Sequence, residues 1–217
     1  MLELFSGSGI MSKTFKENGH EVYTIDNNKK FNPDLCVDIM KIEDFTFVYS
    51  FDIDVFWASV PCTCFSVASI SKHWKGGKRA YIPKSSECWD ALELLEHTIM
   101  LIDVEKPKHW YIENPRGVMR KVIDKIFEKY NIKDYVRHTV TYCQYGDNRM
   151  KPTDIWTNNL DWKPRPMCKN GDNCHIAAPR GSRTGTQGLK NNFERSKLPK
   201  ELCEEIVDLY KMTGKRN

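Results

Sequence analysis

The sequence predicts an α/β protein, with a doubly wound, mostly parallel sheet and a small irregular insertion. Short apolar strands alternate with amphipathic helical segments along the first two-thirds of the chain, a pattern typical of βαβ units. A glycine turn directly follows the first of these strands, as in nucleotide-binding sheets of this class. From 157 to 192 the periodicity gives way to Pro, Gly, Asn and basic residues. The 217 residues suffice for one such domain.

The individual elements follow from the apolar periodicity of each segment. "MLELF" predicts a strand, and "IMSKTFKENG" predicts a helix that Gly19 ends. The later strands are "EVYTID", "DIDVFWASV", "HWYIEN" and "YVRHTVTY", and the later helices are the run from Trp89 to Val104, "KVIDKIFEKYN" and "LPKELCEEIVDLYK". We therefore predict one domain from residues 1–156 plus 193–217, interrupted by the insertion at 157–192.

Composition is that of an ordinary globular chain, with 40% hydrophobic and 29% charged residues. The apolar stretches are far too short to cross a bilayer, and no export signal is visible, so we expect no membrane partner. The eight cysteines are scattered without the rhythm of a disulfide scaffold. We expect reduced thiols and a cytoplasmic location, in a bacterial or phage-infected cell.

Basic residues are concentrated in two stretches, although the net charge is only +4. Residues 149–197 carry ten Lys and Arg against four acids, and a second cluster, "SKHWKGGKR", lies at 71–79. Charge runs are often only solvated faces. Two basic, glycine-bearing stretches nevertheless favour a polyanionic partner.

A cofactor site is indicated by "LELFSGSG", where Gly7 and Gly9 allow a tight turn and close backbone approach to a ligand. Asp26 ends the second strand 17 residues after Gly9, where doubly wound sheets offer a carboxylate to ribose hydroxyls. A plain strand-to-helix turn would explain the glycines alone. Met11 and Ser12 stand where a third glycine would complete the dinucleotide fingerprint, which favours S-adenosylmethionine over NAD. Asp38-Ile39 could face the adenine or form a surface turn.

The segment "VPCTCFS" places Cys62 after the strand "DVFWAS", with Pro61 stiffening the approach. One intervening residue before Cys64 is the wrong spacing for a zinc pair, and the expected compartment disfavours a disulfide. A buried inert thiol and a nucleophile remain open. "YIENPRG" brings Glu113 to a second strand end, so a thiol and a carboxylate are predicted at the same sheet edge.

These segments together resemble the cytosine-C5 DNA methyltransferase family. "LELFSGSG" is similar to its cofactor motif, "PCTCFS" to its Pro-Cys motif, "IENPRG" to its Glu-Asn motif and "QYGDNRMKPTDIWTN" to its arginine-bearing motif. "ERSKLPKELCEEIVDLY" resembles its last helix. The motifs follow in the family's order over most of 1–156 and 193–210. The resemblance implies S-adenosylmethionine as cofactor, with binding residues Phe5, Gly7, Gly9, Asp26, Asn27, Asp38, Ile39 and Pro61.

The resemblance also implies a role for each catalytic residue. Cys62 would add covalently to C6 of a cytosine flipped out of DNA, Glu113 would bond or protonate N3, and Arg149 would hold the base edge. Cys64 would only pack. We expect an orphan or protective monomer. RNA cytosine methylation and a catalytically silent nucleic-acid-binding relative are the alternatives.

Two departures from the family pattern stand out. The family's Gln-x-Arg-x-Arg appears as "NRMKP", with Asn148, Arg149 and Lys151, and lysine cannot offer arginine's two-pronged donor. The target-recognition region is reduced to the 36 residues of 157–192. So short a region predicts recognition of few base pairs.

Two segments are assigned to DNA contact. A loop at 72–84 is expected to close over the flipped base, with Lys75, Lys78 and Arg79 on phosphates. In "MCKNGDNCHIAAPRGSRTGTQG", Cys168, Cys174 and His175 could bind zinc with Cys143, but adjacent side chains in extended backbone point apart. The preferred interpretation is a recognition loop in which Arg180 and Arg183 approach DNA, with no metal.

Overall fold

A seven-stranded sheet forms the centre of the molecule in the computed structural model, which describes residues 1–43, 52–76, 80–177 and 191–214. The strand order is β3-β2-β1-β4-β7-β9-β8, in which β1, β2, β3, β4 and β7 are mutually parallel and β9 is antiparallel to both neighbours. This confirms the predicted α/β class. The strands are β1 (Leu2–Leu4), β2 (Tyr23–Asp26), β3 (Leu35–Cys36), β4 (Val55–Ser59), β7 (His109–Pro115), β8 (Val136–Thr141) and β9 (Pro152–Thr157).

Helices cover both faces of the sheet, as the βαβ pattern requires. The described helices are α1 (Ile10–Glu17), α2 (Ile70–His73), α3 (Ser86–Glu105), α4 (Met119–Lys129), α5 (Asn192–Ser196) and α6 (Lys200–Gly214). Ser85 caps α3, because its hydroxyl accepts a hydrogen bond from the Cys88 amide at 3.2 Å.

Two hydrophobic clusters lie on opposite faces of the sheet. One joins Ile99 of α3 and Phe127 of α4 to Leu4 and Phe56. The other joins Phe15 of α1 and Ile206 of α6 to neighbours such as Trp57. Alternate residues of β4 therefore face opposite layers, and this burial on both sides explains the continuous apolar run in its sequence.

Strand β9 is the main element that the sequence pattern does not predict. It lies between β7 and β8, although Pro152 and Asp154 are unusual in an interior strand. Pro152 stands at the first position, and the fully buried Asp154 is paired with Arg120 and accepts a hydrogen bond from the Thr139 hydroxyl at 2.7 Å. Tertiary partners therefore decide this strand.

The basic segment at 72–84 begins and ends in a small antiparallel pair, β5 (Trp74–Lys75) and β6 (Ile82–Pro83). Gly76 has a φ of 86°, which favours glycine. Lys78 and Arg79, two of the three predicted phosphate contacts, lie outside the described residues. The closing of this segment over a base stays a prediction.

The C-terminal segment returns to the first half of the sheet. The Tyr210 ring of α6 lies 6.2 Å from the Phe15 ring of α1, and Phe193 of α5 stacks on Phe31 at 5.7 Å. Within the insertion predicted at 157–192, residues 158–177 contain no helix or strand. The division into one interrupted domain stays a prediction.

No helix among residues 1–43, 52–76, 80–177 and 191–214 combines the length and apolar character needed to cross a bilayer.

Candidate active site

The carboxyl ends of β4 and β7 bring the predicted thiol and carboxylate to one edge of the sheet. The two strands are parallel neighbours, and Ser59 pairs in register with Glu113. Cys62 follows the end of β4 by three residues, so its loop begins beside Glu113. The Ser59 hydroxyl accepts from Trp57 Nε1 at 2.9 Å and also bonds Glu113. This is the arrangement that the sequence predicts.

Three neighbouring elements fix the loop that carries Cys62 by binding its carbonyl groups. Asn114 Nδ2 donates to the Val60 carbonyl at 2.8 Å, Trp74 Nε1 donates to the Cys64 carbonyl at 2.7 Å, and the Val118 amide donates to the Phe65 carbonyl at 2.8 Å. These bonds come from β7, β5 and the start of α4. The loop is therefore held rigidly, as a covalent nucleophile requires.

Gly117 and Cys64 both serve packing around this loop. A Cβ at Gly117 would stand 2.2 Å from the Phe65 carbonyl oxygen, so only glycine lets the two backbones approach. Cys64 is buried, and its thiol donates to the Glu87 carbonyl at 3.2 Å. Cys64 thus has the surroundings of a packing residue.

Behind Cys62, a buried polar chain runs from Lys151 through Tyr142 to Glu113. The Tyr142 hydroxyl donates to Glu113 Oε1 at 3.1 Å, and Lys151 Nζ donates to the Tyr142 hydroxyl at 3.4 Å. Lys151 Nζ also lies 4.4 Å from the centre of the Tyr142 ring, a cation–π contact. All three side chains are buried. A cation and a carboxylate are thus joined through one hydroxyl.

Burial and mutual charge set the protonation of this group. Burial raises the pKa of Cys62 above its ordinary value and the Glu113 carboxylate raises it further, whereas Lys151 lowers it. Burial also raises the pKa of Glu113, against the effects of Lys151 and Tyr142. Burial lowers the pKa of Lys151, against Glu113. The surroundings therefore disfavour two negative charges together and favour one beside the lysine.

Arg149 is held by the protein itself. Its Nε donates to Asp147 Oδ1 at 2.9 Å, and its Nη2 is also paired with the Asp147 carboxylate. The Nη atoms further donate to the carbonyl groups of Glu194, Arg195 and Lys197, at 2.9, 3.0 and 3.2 Å. All three guanidinium nitrogens are therefore occupied by protein acceptors. The role of Arg149 at the base edge stays a prediction.

A cavity of about 630 Å³ opens beside Arg149. It is bordered by the loop 146–149, Ile10 at the start of α1, Ile176 and the segment from Lys197 to Glu201. Neither Cys62 nor Glu113 lines it, so this cavity adjoins the candidate active site without containing the thiol and the carboxylate.

At the other end of the edge, Asp26 organises the predicted cofactor turn. The buried carboxylate accepts the Gly7 amide at 3.1 Å through Oδ2 and the Asn28 amide at 2.8 Å through Oδ1. Gly7 and Gly9 have φ values of 48° and 63°, which favour glycine. A carboxylate has about four acceptor positions, so Asp26 retains capacity for a ligand hydroxyl.

The other predicted cofactor residues surround this turn or follow neighbouring strands. Phe5, at a φ of 57°, begins the glycine turn, and Asn27 is exposed after β2. Asp38 is exposed, and its Oδ1 accepts the Met40 amide at 3.1 Å, while Ile39 is buried in the core cluster. Pro61 is exposed beyond β4. The glycine turn lies at the carboxyl end of β1, Asp26 at that of β2 and Pro61 at that of β4. They therefore lie on both sides of the point where the strand order reverses.

The family model for C-5 cytosine-specific DNA methylases matches residues 1–142, about two-thirds of the chain. The chain belongs to the C-5 cytosine-specific DNA methylase family. The predicted family is thereby confirmed.

This methylase family member matches nearly the full length of one relative but only about half of the solved structures. A probable DNA (cytosine-5)-methyltransferase of Frog virus 3 is 26% identical, over 96% of this chain and 99% of its own. An E. coli prophage protein described as a DNA modification methyltransferase superposes with a TM-score of 0.52 at 18% identity, over 76% of this chain and 48% of that one. The S. pombe Dnmt2 methyltransferase superposes with a TM-score of 0.48 at 16% identity, over 76% of this chain and 51% of that one. This chain spans about half the length of these solved structures.

Sequence reasoning missed the polar chain of Tyr142 and Lys151 in this methylase. In the sequence, Lys151 is only a departure from the family's arginine pattern, and Tyr142 is only the last residue of a predicted strand. Both stand close to β9, the strand that the periodicity did not predict, so their direction toward Glu113 was hidden. The predicted DNA contacts Arg180 and Arg183 lie outside the described residues. Lys75, the one predicted phosphate contact of the segment 72–84 that the structure describes, is exposed on β5.

Proposed function

We propose that this chain transfers a methyl group from S-adenosylmethionine to C5 of cytosine in DNA, through a covalent adduct with Cys62. The observation that carries the proposal is the register of β4 with β7, which sets the Cys62 loop beside Glu113. The family match and the relative from Frog virus 3, a probable DNA (cytosine-5)-methyltransferase, support DNA as the substrate.

The residues at the carboxyl ends of β1 and β2 fit the cofactor. Asp26 is a buried carboxylate with acceptor capacity remaining, and it accepts the Gly7 amide of the neighbouring glycine turn. We propose that Asp26 binds the ribose hydroxyls, and that Phe5, Asn27, Asp38, Ile39 and Pro61 surround the nucleoside. When bound, the cofactor supplies an electrophilic methyl group.

Cys62 and Glu113 divide the work on the base. The Cys62 thiolate adds to C6 while Glu113, protonated, delivers its proton to N3, so the ring becomes a neutral enamine with an electron-rich C5. After C5 is methylated, a water molecule takes the C5 proton, and the electrons of the C5–H bond re-form the C5–C6 double bond and expel the thiolate. The N3 proton returns to Glu113. Because both ring faces are covered in a duplex, the base must first be flipped out.

Lys151 is the cation that we assign to this reaction in place of Arg149. The reaction needs a thiolate beside a protonated Glu113, and Lys151 favours a single negative charge there. Through the Tyr142 hydroxyl it also orients Glu113. Among the residues that the structure describes, Lys151 Nζ donates only to the Tyr142 hydroxyl, whereas the guanidinium of Arg149 is already held by Asp147 and three carbonyl groups.

The experiment is methyl transfer from tritiated S-adenosylmethionine to DNA and, separately, to RNA. We expect incorporation into DNA, its loss in Cys62→Ser, and most activity retained in the matched control Cys64→Ser. DNA containing 5-fluorocytosine, which cannot lose a proton from C5, should trap a covalent adduct. An inactive Cys64→Ser beside an active Cys62→Ser would refute the assignment of the nucleophile, and labelling of RNA alone would refute the substrate.

A further inference from the structure

Four side chains that bind transition metals converge on one point behind the active site. The Sγ atoms of Cys143, Cys168 and Cys174 and a ring nitrogen of His175 all lie within 4.8 Å of one another. Cys143 lies in the 3₁₀ turn Tyr142–Tyr145, whereas the other three belong to the insertion. Two segments separated by 24 residues are thus brought together by thiols and an imidazole.

Three separations among these atoms match the edges of a zinc tetrahedron. Zn–S bonds of about 2.3 Å and Zn–N bonds of about 2.0 Å imply S–S edges of about 3.8 Å and S–N edges of about 3.5 Å. The Cys174–Cys143 separation is 3.6 Å, and His175 Nδ1 lies 3.7 Å from Cys168 Sγ and 3.5 Å from Cys174 Sγ. The Cys143–Cys168 separation, 3.1 Å, is shorter than such an edge, and the two thiols are in direct contact.

Local backbone geometry removes the objection that neighbouring side chains point apart. Cys174 and His175 lie in a turn and a bend, not in a strand. The turn is built by Gly171, at a φ of 97°, and by the Lys169 amide, which donates to Asp172 Oδ2 at 2.6 Å. Both side chains can therefore face the same centre.

We propose that Cys143, Cys168, Cys174 and His175 bind a structural Zn²⁺ ion. Four protein ligands close the tetrahedron, which is the pattern of structural and not catalytic zinc. This replaces the expectation of no metal. A disulfide between Cys143 and Cys168 would use two of the four groups and leave the convergence of Cys174 and His175 unexplained.

The surrounding bonds indicate what the ion would hold in place. The Cys168 amide donates to Thr141 Oγ1 at 3.0 Å, and Gln144 Nε2 donates to Cys174 Sγ at 3.5 Å, as outer partners of metal thiolates do. Directly after His175, the Ile176 amide donates to the Asn148 carbonyl at 2.9 Å. The ion would thus fasten the insertion to the segment 141–151, which carries Lys151. Its test does not depend on methyl transfer.

The test is metal analysis of the full chain, purified without chelators. We expect one zinc per chain and, by X-ray absorption, three sulfur ligands at about 2.3 Å with one nitrogen at about 2.0 Å. Cys174→Ser should lose the zinc, since Cys174 is exposed and its replacement leaves the core intact. The matched control is Cys36→Ser, another exposed thiol outside the cluster, which should keep one zinc per chain.

Three results would overturn the proposal. They are a folded wild-type protein that contains no zinc and takes none up from added Zn²⁺, a Cys174→Ser variant with full zinc content, and a Cys143–Cys168 disulfide found by mass spectrometry in the protein as purified under reducing conditions. If His175→Ala also lowers zinc content while binding of S-adenosylmethionine persists, the site is structural and separate from the cofactor turn.

Discussion

Removing the charge of Lys151 is the most informative perturbation of the active site. We predict that Lys151→Met slows methyl transfer about 100-fold at neutral pH, because the buried cation that favours the Cys62 thiolate is lost. Methionine keeps much of the length and volume of the lysine stem, so packing against Tyr142 is largely retained.

The magnitude is scaled from the separation of Lys151 and Glu113, used here as the length scale for one negative charge in this group, which the reaction places on Cys62. Tyr142 Oη lies 3.1 Å from Glu113 Oε1 and 3.4 Å from Lys151 Nζ, so the charged atoms cannot be farther apart than these two lengths end to end. At that separation, roughly 6.5 Å, and an effective dielectric constant of about 20, the interaction is about 2.5 kcal/mol. This corresponds to ~100-fold in rate if fully expressed in the transition state.

The assay is single-turnover methyl transfer across a pH series. Because Lys151 lowers the pKa of Cys62, its loss should raise that pKa and move the rising limb of the pH–rate profile upward, so that part of the activity returns at high pH. The control is Lys121→Met, an exposed lysine on α4. A folded Lys151→Met with activity within threefold of wild type, or with an unmoved pH profile, would refute the reasoning.

Three further variants test other parts of the molecule. Asp26→Ala should weaken the binding of S-adenosylmethionine by about 1–3 kcal/mol, and an unchanged affinity in calorimetry would show that Asp26 does not bind the cofactor. Arg149→Ala should lower the free energy of unfolding by ~3 kcal/mol or more, because it leaves Asp147 unpaired; lost methylation at unchanged stability would restore its role at the base. Glu3→Gln should gain stability relative to wild type as pH rises from 5 to 8, by up to ~3 kcal/mol. Burial raises the pKa of Glu3 from 4.5 to about 7, so the protonated carboxyl contributes its full stability to wild type below pH 4.5, and this contribution is lost as the pH rises from 4.5 to about 7. Parallel curves of unfolding free energy against pH for Glu3→Gln and wild type, measured by chemical denaturation, would contradict this.

The sequence by itself determined the class of the fold and the elements that carry the site. Buried strands such as β4 and β7 are continuous apolar runs, and α4 and α6 show clear helical periodicity, so their identity is a local property. The residue at which each of these strands ends is also set by the local sequence pattern. The positions of Asp26, Cys62 and Glu113 at one edge of the sheet therefore followed from the strand predictions.

Only the tertiary structure decided which polar side chains meet there. Strand β9 depends on pairing with β7 and β8 and on the Arg120–Asp154 pair, none of which is visible in a window of neighbouring residues. Arg149 and Lys151 stand two positions apart on the approach to that strand, yet one binds Asp147 and the other joins Tyr142 and Glu113.

The cluster of Cys143 with three residues of the insertion has the same origin. Spacing along the chain argued against it, because adjacent residues in extended backbone face opposite ways. The turn at Gly171 reverses that argument, and the turn after β8 supplies the fourth ligand from a distance of 25 residues. Side-chain direction in irregular backbone is set by contacts between distant segments, and these contacts form only when the chain has folded.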